Sequence, residues 1–127
     1  MKTYGATLLQ VKPAPKDAID LLEKALKEYG VKIYARIDQQ AEAWKAGITT
    51  LPIEFILFGN AARGGAVMQM NPLAALDLPL KILAYQDEKQ NNYLVYNQVS
   101  YLAERYGLSD AAVSQLDIAP LISKLFS

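Results

Sequence analysis

The chain has 127 residues, 52% of them hydrophobic, and its thirteen Lys and Arg cancel its thirteen Asp and Glu. One domain of this size buries enough surface to fold without staples, and so apolar a composition argues against disorder. The neutral balance gives no strong positive field for nucleic acid or an anionic membrane, and the lack of cysteine and histidine excludes disulfides, thiolate zinc, imidazole-held metals and a Ser-His-Asp triad.

The opening "MKTYGATLLQVKPAPKD" has one Lys and a broken apolar stretch, with no continuous hydrophobic core of a signal peptide. No apolar run approaches a membrane span. The expectation is therefore a soluble, cytoplasmic domain that takes neither membrane nor nucleic acid and carries no cofactor.

Residues 4–11 read as a first strand, stopped by "KPAP". Residues 15–29 form the clearest helix: Ile19, Leu22, Leu26 and Tyr29 recur at helical spacing. Pro15 suits the first helical position, and Asp17 and Asp20 lie near the positive end of the dipole. Asp20 with Lys24, and Glu23 with Lys27, are spaced as i,i+4 ion pairs, and Gly30 is a natural stop.

"VKIYARID" alternates, with Val31, Ile33, Ala35 and Ile37 on one side and Lys32, Tyr34, Arg36 and Asp38 on the other. "QAEAWKAG" fits two helical turns, and "LPIEFILFG" a mostly buried strand. The glycine-rich "FGNAARGG" then raises the question of a phosphate loop. Gly59 and Gly64 have the spacing of G-x-x-x-x-G-K-[ST], but Gly65 replaces the Lys and Ala66 the hydroxyl residue. A plain tight turn is the better reading, with glycine supplying positive φ. "AVMQM" is a short strand or helical turn, and "NPLAALDLP" an ordered loop with a helical turn.

"LKILAYQD" and "NYLVYNQ" flank "EKQN", a link of hairpin length. "QVSYLAERYG" is a second helix, with Arg105 late in it, where a cation suits the dipole. Ser109 caps a last helix, "DAAVSQL", that continues past Pro120 into "LISKLF". These elements predict a single α+β domain over residues 1–127: a β-α-β-rich, mainly antiparallel sheet with helices packed on one face.

"ARID", "AEAWKAGITTLP", "FILFGN", "MQMNPLAALDLPLKILAYQD" and "YNQVSYLAERYGL", in that order, resemble the domain-of-unknown-function family 302. The resemblance is strongest over residues 35–108. It implies a fold of the TATA-binding-protein-like group and a homodimer, and it implies no activity. The family usually carries His where Gln39 stands, Pro where Ala61 stands and Thr where Ala66 stands. A glutamine keeps a hydrogen bond there but does not titrate.

The candidate ligand-binding residues are Arg36, Asp38, Gln39, Asn60, Asp77, Tyr85, Tyr96 and Asn97. Arg36 and Asp38 share a strand face beside Tyr34, either lining a pocket or making a surface ion pair. Asn60 offers an amide to a ligand or closes an Asx-turn. Asp77, between Leu76 and Leu78, is the best candidate for a buried carboxylate. It is held by backbone N–H groups near Asn60 or by Arg36 or Arg63, with Tyr85, Tyr96 and Asn97 converging on it. Met68 and Met70 suit a core or an interface better than a metal. The leading functional reading is a non-catalytic, dimeric small-ligand or protein-interaction domain. The alternative is an enzyme using a buried Asp77 or Asp38 with Tyr and Arg groups, and a third is a structural partner in a larger complex.

Overall fold

The computed structural model describes residues 2–126. Five strands, β1 (Ala6–Val11), β2 (Lys32–Asp38), β3 (Ile53–Gly59), β4 (Leu80–Gln86) and β5 (Asn92–Asn97), form one sheet in the order β1-β5-β4-β3-β2. Every neighbouring pair is antiparallel. This is the α+β class expected, although β1 and β2 occupy opposite edges, so the helix between them spans the sheet rather than joining adjacent strands.

That helix, α1 (Pro15–Glu28), buries Ala18, Ile19, Leu22 and Leu26 against Ile56, Phe58, Ile82, Ala84 and Leu94. Pro15 is in its first turn, and Gly30 follows with φ 72°. Tyr29 departs from the expected stripe: it caps the helix and stands 61% exposed. Of the two expected i,i+4 pairs, Glu23 meets Lys27 at 3.8 Å. Asp20 turns instead to Arg36 at 2.6 Å, because a guanidinium fixed under the helix outcompetes a free lysine for it.

The strict alternation expected of β2 fails at Tyr34. A register shift lies between Ile33 and Ala35, so Ile33, Arg36 and Asp38 face α1 while Ala35 and Ile37 face away. After β2 comes α2 (Gln39–Lys45). The glycine stretch is no tight turn. It opens α3 (Ala61–Met70), and neither Gly64 nor Gly65 has a positive φ. A 3-10 helix, Pro72–Asp77, follows. The hairpin between β4 and β5 forms as expected. α4 (Val99–Tyr106) ends at Gly107 with φ 63°, and Ser109 caps α5 (Asp110–Ser114) by accepting from the Ala112 N–H. The last helix does not run through: α6 (Ala119–Phe126) is separate, started by Asp117 Oδ1 accepting from the Ala119 N–H at 3.0 Å.

A second, smaller core gathers Val67, Ala74, Leu102, Tyr106, Val113 and Leu116 at one end of the sheet. The sheet face away from α1 belongs to neither core. Leu8, Val95, Leu83, Phe55 and Ile37 lie side by side across all five strands on that face. No helix among the described residues is long and apolar enough to cross a membrane.

Candidate functional site

Where α1 ends, α3 begins and α6 passes over both, a cavity of about 610 Å³ opens. That is within the usual range for small-molecule sites, roughly 300–1,000 Å³. Its floor is Leu26, Phe58, Leu80 and Leu121, and its rim carries Tyr29, Arg63 and Lys124. Asn60, Gly64 and Gly65 form the α3 wall. Asn60 Oδ1 accepts from the N–H groups of Ala62 and Arg63, and Gly64 N–H donates to the Asn60 carbonyl. The amides that would cradle a phosphate in a nucleotide loop are thus consumed by the cap. Asn60 shapes one wall and closes the helix end, as an Asx residue does.

Asp77 ends the 3-10 helix with its side chain mostly buried. It accepts from the Tyr106 hydroxyl and from Arg105 Nη1 at 3.0 Å. It is held as an acceptor, but not by the expected donors: Arg36 and Arg63 are elsewhere, and α4 supplies both partners. Arg105 also donates to the Tyr101 hydroxyl at 3.0 Å. Burial, with the hydrogen bond to Asp77 second, raises the Tyr106 pKa. Asp77, Tyr96 and Asn97 do come together, lining a cleft of about 330 Å³ with Lys81 and Leu57. Partial burial raises the Tyr96 pKa.

Tyr85 does not join them. It stacks on Tyr93 at the opposite end of the sheet, centroids 5.2 Å apart, because its place in β4 is two residues beyond Leu83 on the face away from α1. Nearby, Asp87 accepts from the N–H groups of Lys89 and Asn91 and from the Tyr93 hydroxyl, closing the hairpin.

Arg36 and Asp38 share the α1-facing side of β2 but do different work. Asp38 caps α2, accepting from the Ala41 N–H at 2.9 Å, and Gln39 opens that helix exposed to solvent. Arg36 is no surface ion pair. It meets Asp20 at 2.6 Å, Glu54 at 3.1 Å and Glu23 at 3.6 Å, and donates to the Lys16 carbonyl. Burial opposes its charge, but Glu54 and Asp20 outweigh it and its pKa is raised.

Sequence reasoning missed Glu54, a carboxylate inside the apolar run "IEFIL" and directly across β3 from Asp38. It also missed Arg63 and Lys124 as neighbours on one rim, since their proximity is purely tertiary. Among the described residues, no group of three or more Asp or Glu side chains is placed to hold a metal ion.

A family model described as a domain of unknown function, DUF302, matches residues 9–124. The fluoride-specific ion channel FluC 1 of Brucella suis biovar 1 (strain 1330) is 30% identical over 115 residues, which are 88% of this chain and 45% of the channel. FluC 1 of Brucella abortus biovar 1 (strain 9-941) is also 30% identical over 115 residues, 88% of this chain and 43% of that protein. The chain therefore spans less than half the length of the curated relatives it matches. The crystal structure of an uncharacterized conserved DUF302 protein from Bacillus stearothermophilus has the same fold, with a TM-score of 0.78 at 17% identity over 98% of this chain and 97% of that one.

Proposed function

The chain belongs to the DUF302 family, and we propose that this member binds a small molecule, without transforming it, in the cavity between α1, α3 and α6. The observation that carries the reading is a 610 Å³ cavity with an apolar floor and a few polar groups at its rim. The carboxylates that an enzyme would need are already engaged: Asp38 caps a helix, and Asp77 is taken up by Arg105 and Tyr106. With no histidine in the chain, no side chain has an unperturbed pKa near neutrality for acid-base work.

The homodimer is the second part of the reading. The apolar row Leu8, Val95, Leu83, Phe55 and Ile37 runs across the sheet face that neither core uses, with all of its members but Phe55 half-buried, which suits a second copy of the same chain. We place the domain in the cytoplasm. In the FluC relatives the matched portion is less than half the protein. Because no helix among the described residues of its counterpart here is long and apolar enough to cross a membrane, we read that portion as an appended binding domain and not as the conducting part.

A thermal-shift screen of a metabolite library, run on the wild type and on Gly65→Leu, tests the pocket. A Cβ at Gly65 meets nothing within 4 Å, so the leucine projects into open space at the α3 wall without disturbing the core. Compounds that raise the melting midpoint of the wild type and not of Gly65→Leu support the reading. A library in which every stabilising compound acts equally on both overturns it.

A further inference from the structure

We propose that the ligand of this cavity is a small organic anion with an apolar body, an inference that rests on the binding reading above and narrows it. The floor made by Leu26, Phe58, Leu80 and Leu121 offers hydrocarbon contact on several sides. Two cations, Arg63 on the first turn of α3 and Lys124 on α6, stand at the rim of the same cavity. Among the described residues neither has a carboxylate within ion-pair distance; Lys124 meets only the Tyr29 hydroxyl, at 3.2 Å.

Among the described residues the one carboxylate on the lining, Asp117, is turned to the start of α6, where it accepts from the Ala119 N–H. The rim is therefore net positive above an apolar floor, in a chain whose overall charge is zero. The start of α3 adds its dipole in the same sense, although its first amides are consumed by Asn60. Apolar walls reward a hydrocarbon or ring, and two unpaired cations reward one negative head. A neutral ligand would use half of that arrangement, and a cation would be repelled by it.

Isothermal titration calorimetry of the full chain with decanoate and decyltrimethylammonium, each below its micelle-forming concentration, and decan-1-ol, below its solubility limit, tests this. Decanoate should bind saturably and about tenfold or more tightly than decan-1-ol, with the cation weakest. Arg63→Gln together with Lys124→Gln should remove that preference while leaving decan-1-ol binding unchanged, and Gly65→Leu should weaken both. Equal affinity for decanoate and decan-1-ol would overturn the anion inference and leave the pocket reading standing. Decanoate binding that ignores Gly65→Leu would place the anion elsewhere and overturn it as well. If neither compound binds, the inference fails, and the pocket reading rests on the library screen alone.

Discussion

At the scale of single residues, a few charged groups join elements. Arg36 ties α1 to β2 and β3 by reaching Asp20 and Glu54 at once. Removing it strands Glu54, whose side chain is only 11% exposed. Arg36→Leu should therefore destabilise by about 1–3 kcal/mol, less than the roughly 3–5 kcal/mol of a fully buried pair, because Arg36 keeps contact with water. Urea melts read it directly; a change near zero would mean that the network is no more than a surface ion pair. Asp77→Asn keeps the shape of its site but removes the charge facing Arg105, and should cost about 1–3 kcal/mol. Tyr106 adds a pH signature. Its folded-state pKa is raised, so its contribution is complete below the ordinary phenol value of about 10 and is lost as pH rises through the folded value. Tyr106→Phe should flatten the alkaline limb of the stability curve, and an unchanged limb would remove Asp77 and Tyr106 as its source.

Elements show where local preference yields to context. α3 carries two adjacent glycines, each about 1 kcal/mol poorer than alanine in a helix interior. Asn60 and the packing of Val67 hold the helix regardless. Gly65→Ala should therefore raise stability by up to about 1 kcal/mol, since the added methyl meets nothing. A loss of stability in denaturant melts would mean that the α3 wall is tighter than its geometry shows. The hairpin is closed by Asp87, whose pKa is lowered, chiefly by the Asn91 N–H, against the opposing effect of burial. A depressed carboxylate contributes stability above its ordinary range near 4 and loses it as pH falls through the folded value. Acid titration of the wild type should show that loss, and Asp87→Asn should remove the part of it that belongs to the hairpin.

For the whole molecule, the sheet face without a helical core is the decisive feature. The sheet places Leu8, Val95, Leu83, Phe55 and Ile37 in one row, and α1 and α6 both lie on the other side. A second copy packed there would take the half-buried members of that row, Leu8, Val95, Leu83 and Ile37, out of water. Light scattering should report about twice the 14.0 kDa chain mass. Val95→Asp should return a monomer with unchanged circular dichroism. A wild type that remains at 14.0 kDa when concentrated would end the dimer reading.

Much of this was legible in the residues themselves. The stripe of Ile19, Leu22 and Leu26, the cap at Ser109, the "EKQN" link and the apolar strands are local signals, written in residue type and spacing. The string "LDLPLK" below "FGN" carried the family. The structure decided the rest, some of it through local caps and some through tertiary contacts alone. It turned "NAARGG" into a helix start, because Asn60 accepts from the very amides that a phosphate loop would leave free. It broke α5 from α6 at Asp117, and it gave Asp77 to Arg105 and Tyr106, twenty-eight and twenty-nine residues away. It brought Arg63 and Lys124, from helices far apart in the chain, to one rim. The partners of Asp77 and the shared rim of Arg63 and Lys124 depend on which elements share a surface, and spacing along the chain holds no record of that.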